Sequence, residues 1–224
     1  MTRELCISGV EIDLHEAPLL GPIDCAVKAG WPLTLMGPSG SGKSTLLNWM
    51  VGSLPPGLTA RGRILLDGDD ITDLPPHRRR LGILFQDDLL FPHLTVAENL
   101  AFALPGGMGR AAKEGLIQAA LAEAELPGHG ARDPAGLSGG ERARIALMRT
   151  LLAEPKALLL DEPFAKLDVA LRERFRGFVF AKAAERNLPV LLVSHDPADS
   201  AAAGGLTIHL DKGPPAAKPA ERGV

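Results

Sequence analysis

The sequence is poor in aromatic residues, in cysteine and in net charge. Aromatic residues make up 4% of its 224 positions, tyrosine is absent, and the formal net charge at pH 7 is −3. A general nucleic-acid-binding protein usually has a strongly basic surface, so this charge argues against that class. Cys6 and Cys25 are the only cysteines and lack the spacing of a metal site. We therefore expect them to be reduced core residues of a cytosolic protein.

Long hydrophobic runs are also missing. No apolar run reaches the ~18–20 residues that a membrane-spanning helix needs, and proline or charge interrupts even the richest region, residues 145–160. The N-terminal residues 1–5 lack the apolar run of a secretory signal peptide. If the protein acts at a membrane, we expect other chains to supply the spans. The 46% hydrophobic content suits one large domain, or a core with a smaller lobe.

What the chain does contain is a glycine-rich stretch that fits G-x-x-x-x-G-K-[ST], the loop that wraps the phosphates of a nucleoside triphosphate. Its residues are Gly37, Pro38, Ser39, Gly40, Ser41, Gly42, Lys43, Ser44 and Thr45. Glycines let backbone N–H groups surround an anion, Lys43 can reach the β- and γ-phosphates, and Ser44 can ligate Mg²⁺. A buried strand over 33–36 and a helix over 45–51 flank the loop, so a chance glycine-rich turn is the weaker interpretation.

The rest of the chain alternates short apolar strands with helical segments. Strands are predicted over 5–14, 64–71, 81–86, 157–160 and 189–193, and helices after Thr95, over 113–125, after Ser138 and over 167–186. This order, together with the phosphate loop, predicts an α/β phosphate-loop core, a mostly parallel sheet flanked by helices, with a small antiparallel β layer. We place one domain at 1–213, with a catalytic core at 1–86 and 137–213 and an inserted helical subdomain at about 87–136. The remaining residues, 214–224, are predicted to be a disordered tail.

Polar side chains follow several of the predicted strands. Gln86, Asp161 and His195 come at or just after strand ends, and Glu162 follows Asp161 directly. Ligands of open α/β sheets bind beyond the carboxyl ends of the strands. Two adjacent carboxylates at such a place favour a functional site over a solvated strand end. A single histidine is usually structural, but this position favours function for His195.

Two other features leave alternatives open. The basic run at 77–80 is better explained as a solvated turn than as a phosphate-binding patch, because four residues make a short cluster. The apolar side chains of Leu90, Phe91 and Leu94 follow the polar Gln86. They either pack into the helical lobe or form a surface for a partner.

The order of these motifs resembles the ATP-binding subunit of an ABC transporter, over about residues 3–213. The discriminating segment lies between the phosphate loop and Asp161-Glu162-Pro163, and other phosphate-loop ATPases lack it. It consists of Leu137, Ser138, Gly139, Gly140 and Glu141. The stretches around the phosphate loop, Gln86 and Asp161 are similar to those of stand-alone subunits of bacterial importers, including those serving thiamine, iron(III) or small oxyanions.

The resemblance implies an ATPase that uses ATP and Mg²⁺ to energise transport of a small solute by a separate permease. The implied catalytic residues are Glu162, His195, Gln86 and Lys43. The implied Mg²⁺ ligands are Ser44, Gln86 and, through water, Asp161. Glu162 would be the general base or would orient the attacking water, and His195 would contact the γ-phosphate and hold that water in line.

The resemblance also implies partners. Two subunits would pack head to tail, with Ser138 and the following glycines capping the γ-phosphate of the other subunit and Asp168 on the dimer seam. The apolar loop after Gln86 and the helical lobe would receive a cytoplasmic helix of the permease, and an external solute-binding protein would act through that permease. The implied location is peripheral, at the cytoplasmic face of the inner membrane, with no nucleic-acid partner.

The chain departs from the family pattern at two places. The family usually carries an aromatic residue that stacks on adenine where this chain has Leu14 and His15, which predicts a base held mainly by apolar contact. The segment before Asp168 reads Phe-Ala-Lys-Leu, which differs from the more common Ser-Ala-Leu.

Three other classes remain as alternatives. An ATPase of DNA repair or chromosome structure would need coiled-coil insertions or a DNA-binding domain, and no heptad run or basic face is present. A translation-associated ATPase would need a second phosphate loop, and only one is found. A phosphate-loop kinase or GTPase would lack the segment 137–141 and Glu162.

Overall fold

The computed structural model describes residues 3–210 and arranges them around two β-sheets. The tail predicted at 214–224 lies outside the described residues. The strands are β1 (Glu4–Leu14), β2 (Ala17–Lys28), β3 (Leu33–Met36), β4 (Leu58–Leu66), β5 (Asp69–Asp70), β6 (Leu81–Leu84), β7 (Ala157–Asp161), β8 (Val190–Ser194) and β9 (Leu206–His209). The helices are α1 (Lys43–Val51), α2 (Pro76–Arg79), α3 (Val96–Ala101), α4 (Arg110–Glu123), α5 (Gly139–Leu152), α6 (Val169–Glu185) and α7 (Pro197–Ala203), with a 3₁₀ turn at Pro134–Gly136.

The first sheet is parallel and carries the predicted site residues at one edge. Its five strands lie in the order β6-β7-β8-β3-β9. Strands β3 and β8 are buried along their whole length, as expected of apolar runs covered on both faces by helices or a second sheet. Because all five strands run the same way, their carboxyl ends meet at one edge, where the segments beginning at Gly37, Phe85, Glu162 and His195 emerge.

The second sheet is antiparallel, in the order β2-β1-β4-β5, which confirms the predicted small β layer. The sequence did not predict β2, because Pro18 and Pro22 interrupt its apolar pattern. Proline is tolerated on an edge strand, where its missing N–H removes no ladder bond. β2 is such an edge strand.

Two hydrophobic cores share the parallel sheet between them. On β7, Leu158 and Leu160 pack into the core formed with helices α3 to α6, whereas Ala157 and Leu159 pack with α1 and the antiparallel sheet. The segment predicted as a helical subdomain thus shares its core with α5 and α6. Cys25 packs against the second core, and burial raises the pKa of its thiol to about 12.

Local sequence signals fix several helix starts. Thr95 and Ser138 both form the predicted capping box, each side chain accepting from the N3 amide while the N3 glutamate accepts from the cap amide. α4 begins at Arg110 and α6 at Val169, close to the predicted bounds. Between residues 3 and 210 no helix is long and apolar enough to cross a lipid bilayer.

Candidate functional site

The phosphate loop encloses the ammonium group of Lys43. Its Nζ donates to the carbonyl oxygens of Gly37 (2.8 Å) and Pro38 (2.9 Å), and only 4% of the residue is exposed. Burial lowers the pKa of Lys43, and the carboxylates of Glu162 and Asp161 oppose this shift. The lysine is therefore held inside the loop and its charge is balanced from the end of β7.

The glycines of this loop are required by its backbone geometry. Gly40 and Gly42 have φ of 83° and 84°, in the left-handed region that side chains with a Cβ rarely adopt. A Cβ on Gly42 would also lie 3.2 Å from Leu20 Cβ on β2. Helix α1 starts directly after Gly42 without a side-chain cap, so its first amides stay available to an anion.

Ser44 and Asp161 meet across the site. The Ser44 hydroxyl donates to Asp161 Oδ1 at 2.7 Å, joining the start of α1 to the end of β7. Burial raises the pKa of Asp161, and the hydrogen bond from Ser44 partly offsets this. Mg²⁺ is usually held by one or two carboxylates together with substrate phosphates and waters, so this hydroxyl and carboxylate fit it. Within residues 3–210, no group of three or more His, Cys, Asp or Glu side chains could hold a metal ion.

Glu162 and His195 form a second pair at the same edge. His195 Nδ1 lies 3.0 Å from Glu162 Oε2, and the histidine side chain is 60% exposed against 23% for the glutamate. Glu162 has a φ of 47°, and its amide donates to the Val193 carbonyl of β8 at 3.0 Å. A strained backbone at a residue other than glycine is typical of functional sites. The carboxylate and the imidazole are thus held side by side where the two strands end.

Gln86 occupies a more open position. It is exposed and lines a cleft together with Gly139 and Lys166. No hydrogen bond joins it to Ser44 or Asp161 in the part of the chain that the structure describes. Its neighbour Asp87 forms an ion pair with Lys166, the lysine that departs from the family pattern before Asp168. Among the predicted Mg²⁺ ligands, only Ser44 and Asp161 are brought into direct contact.

The segment 137–141 lies at the start of α5. Ser138 is exposed, and its hydroxyl accepts from the Glu141 amide at 3.3 Å, while Glu141 Oε2 accepts from the Ser138 amide at 2.7 Å. Hydrogen bonds from the Ser138 hydroxyl and from the Ser138 amide to the carboxylate lower the pKa of Glu141. Asp168 plays the same part for α6, where its side chain accepts from the Leu171 amide at 3.0 Å. Both residues therefore fix helix starts.

The two residues expected to meet the nucleotide base, Leu14 and His15, include no Phe, Tyr or Trp. Leu14 ends β1 and is 41% exposed. His15 is turned towards Gly57, since its amide donates to the Gly57 carbonyl at 3.1 Å and a Cβ on Gly57 would lie 2.9 Å from His15 Cε1. Of these two residues, Leu14 is the freer to meet a base.

The sequence left open whether the apolar loop after Gln86 packs into the helical lobe or forms a surface for a partner. The structure shows residues of both kinds. Leu90 packs against the helical core, and the Phe91 amide donates to buried Asn99 at 2.8 Å. The Phe91 ring lies 4.7 Å from that of Phe102, which is 68% exposed, and Leu89 is 54% exposed. Leu89 and Phe102 therefore remain exposed, and the half-buried ring of Phe91 lies beside Phe102.

Several arginines that support the site gave no clear signal in the sequence. The basic run at 77–80 hides Arg79, which is 7% exposed and donates to the carbonyls of Trp49 and Met50 at the end of α1, at 2.8 Å each. That residue is therefore neither solvated nor free for phosphate, and the prediction of a wholly solvated turn is wrong for it. On α6, Arg172 and Arg176 contact the segment that carries His195. Their spacing of one helical turn on a helix with apolar residues was the available signal.

Comparisons with known proteins agree with this geometry. The sequence profile of the ABC transporter family matches residues 20–165. The chain is 48% identical over 200 residues to the uncharacterized ABC transporter ATP-binding protein YnjD of Escherichia coli K12, which covers 88% of this chain and 92% of that protein. It is 43% identical over 188 residues to the thiamine import ATP-binding protein ThiQ of Escherichia coli K12 (84% and 79% covered). It is 40% identical over 210 residues to ThiQ of Rhizobium meliloti (93% and 86% covered).

The fold, the phosphate loop and the carboxylate–histidine pair thus occur in a sequence that matches one family along most of its length. This confirms the predicted resemblance, the α/β phosphate-loop fold and ATP binding. The chain belongs to the ATP-binding proteins of ABC transporters, the ATPases that energise transport across a membrane.

Proposed function

We propose that the chain binds ATP with Mg²⁺, hydrolyses it as a head-to-tail dimer, and thereby drives import of a small solute through a separate permease. The observation that carries this proposal is the 3.0 Å contact between Glu162 Oε2 and His195 Nδ1. The pair stands at the ends of neighbouring strands β7 and β8, and β8 also neighbours β3, which leads into the phosphate loop. A base and a water-positioning group therefore lie at the same edge as the phosphate site.

The chemistry follows from what phosphoryl transfer requires, which is mainly positioning and charge stabilisation. Lys43 and the amides at the start of α1 bind and orient the phosphates. The Glu162 carboxylate accepts a proton or a hydrogen bond from the attacking water. A neutral His195 that donates from Nδ1 to Glu162 leaves Nε2 to accept from the same water, and protonation of Nε2 turns it into a donor to a phosphate oxygen.

Ser44, Gln86 and, through water, Asp161 would hold the Mg²⁺ ion, whose chemistry is to neutralise charge on the phosphate oxygens. Support comes from the hydroxyl and the carboxylate already placed 2.7 Å apart. Gln86 would complete the set from the open segment after β6.

The proposed partners rest on the exposed surfaces and on the relatives. Ser138 at the start of α5 would cap the γ-phosphate bound by a second copy of the chain, with Asp168 on the seam between the copies. The named relatives include thiamine import proteins, which supports import by way of a permease and an external solute-binding protein. The chain would then lie at the cytoplasmic face of the inner membrane.

The test is the substitution Glu162→Gln, which keeps the shape of the side chain and removes its basicity. We expect turnover to fall by ~10²–10⁴-fold, the usual worth of general-base assistance, while ATP binding persists. Sedimentation with ATP and Mg²⁺ should then detect a stable dimer. Glu173→Gln, an exposed glutamate on α6, is the matched control. Hydrolysis at the wild-type rate by Glu162→Gln would remove Glu162 from the mechanism.

A further inference from the structure

The side chain of His195 makes few contacts that could fix its position. The imidazole is 60% exposed, and its hydrogen bond to Glu162 is the contact that the structure shows for it. A group that must hold a water in line needs a firmer position, because a displacement of about 1 Å can cost ~10²-fold in rate. The position of His195 therefore depends on the backbone on either side of it, at Ser194 and Asp196.

Ser194 is fixed by a buried polar network. Its hydroxyl donates to Asp199 Oδ2 at 2.6 Å and accepts from the Asp196 amide at 3.0 Å. The other oxygen of Asp199 accepts from Arg176 Nε at 2.6 Å. Ser194, Asp199 and Arg176 are only 2%, 3% and 8% exposed. Buried groups that satisfy one another in this way hold a segment rigidly.

Asp196 is fixed by Arg172, which lies one turn before Arg176 on α6, and Arg176 Nη2 also pairs with it at 3.5 Å. Asp196 Oδ1 accepts from the Ala198 amide at 2.8 Å and caps α7, and Oδ2 accepts from Arg172 Nη1 at 2.8 Å. The Ala198 amide, followed by the charges of Arg176 and Arg172, lowers the pKa of Asp196, so the carboxylate stays ionised at neutral pH. Its charge is therefore available to pair with Arg172 at neutral pH.

The same guanidinium reaches a second segment. Arg172 Nη2 donates to the carbonyls of Leu167 (3.2 Å) and Ala165 (3.4 Å), which lead from Glu162 to Asp168. Its Nε is buried and has no hydrogen-bond partner within residues 3–210, so the group is fixed through its two terminal nitrogens. The rigid, planar guanidinium group of Arg172 thus contacts both the segment before Asp168 and Asp196, the residue next to His195.

We propose that Arg172 is a positioning residue for His195, and that it transmits the position of segment 165–168 to the histidine. This rests on the proposed function, in which Asp168 lies on the dimer seam and His195 acts on the phosphate. Movement of that segment when two copies meet would shift the guanidinium, and with it Asp196 and the backbone of His195. Closure of the dimer would then determine the position of His195.

The test uses Arg172→Lys in the full-length chain. Lysine keeps the positive charge for Asp196, but a single ammonium cannot span the carboxylate and the two carbonyls. We expect kcat for ATP hydrolysis to fall about 10-fold to 10²-fold with KM unchanged. The rate of hydrolysis per subunit should be measured at increasing protein concentrations. The protein concentration that gives half of the maximal rate should not change, because assembly is intact, while the maximal rate itself should be lower. Arg174→Lys, on the same helix and exposed, should behave as the wild type.

A double-variant cycle separates positioning from general damage. If Arg172 acts through His195, then Arg172→Lys added to His195→Ala should slow hydrolysis no further, within about twofold. Equal fractional losses in both backgrounds, or an unchanged kcat for Arg172→Lys alone, would overturn the inference and leave the role of His195 intact. A wild-type rate for His195→Ala alone would instead overturn the proposed role of His195, and this inference with it.

Asp196→Asn gives the same cycle if the lysine variant does not fold. Asparagine still caps α7, since it is among the favoured N-cap residues, but it lacks the charge that pairs with Arg172. The expected result is again a lower kcat that disappears in the His195→Ala background, and additive losses would count against the link.

Discussion

The Ser44 hydroxyl donates a 2.7 Å hydrogen bond to Asp161 Oδ1, across 117 positions of sequence. The contact brings the first turn of α1 against the end of β7, so that a hydroxyl and a carboxylate face the place where phosphates would bind. Neither residue would hold a divalent cation alone. Together they would provide part of the oxygen ligand set of a Mg²⁺ ion, and substrate oxygens and water would complete that set.

Asp161→Asn should therefore weaken the binding of Mg²⁺ more than the binding of the nucleotide. Asparagine can still accept from Ser44, but it removes the negative charge. We expect the apparent Mg²⁺ affinity to fall ~10–100-fold, as for other residues that act on a metal through water. Titration of Mg²⁺ at saturating ATP measures this, and ATP binding in the presence of a chelator should change little. Unaltered Mg²⁺ dependence would place the ion elsewhere.

Ser138→Asp should prevent ATP hydrolysis at the site of the other subunit. Aspartate is a good N-cap, so α5 should stay capped, while its charge would repel a γ-phosphate. Thr95→Asp makes the corresponding change at the other capping box and should leave basal hydrolysis unchanged.

The shared site is tested by mixing Ser138→Asp subunits with Lys43→Ala subunits. Each homodimer should be inactive, whereas a mixed dimer has one site with both changes and one with neither. Partial recovery of hydrolysis in the mixture is expected. Hydrolysis by the Ser138→Asp protein alone would argue that Ser138 does not meet a nucleotide.

Phe102→Ala should impair coupling to the permease without unfolding the chain. Phe102 is 68% exposed and its ring lies tilted against that of Phe91, which argues for a contact outside the chain more than for a core role. We expect the melting temperature to change little and the permease to lose its stimulation of hydrolysis. Leu116→Ala on α4, where the leucine is 40% exposed, is the control. A drop of several degrees with normal stimulation would assign Phe102 to the fold.

Leu14→Tyr should tighten ATP binding. Stacking of a base on an aromatic ring is worth ~1–3 kcal/mol, or about 5–150-fold in affinity, and the wild type has no ring at this place. The wild type should therefore bind ATP weakly and prefer it little over GTP, as titration with both nucleotides would show. His15→Tyr should gain less, because His15 is turned towards Gly57. Strong discrimination against GTP by the wild type would mean that another residue reads the base.

The sequence alone determined the features that depend on neighbouring residues. The loop at 37–45 follows from glycines at fixed spacing between a buried run and a helix. The starts of α3 and α5 follow from Thr95 and Ser138 with a glutamate three residues later. These interactions close within one or two turns of chain, so the local sequence specifies them whatever the rest of the protein does.

Only the tertiary structure decided which distant side chains meet. The strand order β6-β7-β8-β3-β9 places Asp161 beside Ser44 and Glu162 beside His195, and that order is set by packing over the whole domain. The same holds for Arg79 beneath α1, which the sequence predicts as part of a solvated turn, and for Arg172, whose hydrogen-bond partners lie in two loops. An arginine can connect two segments in this way only when carbonyls and carboxylates from distant parts of the chain accept its hydrogen bonds. No local sequence pattern records those partners.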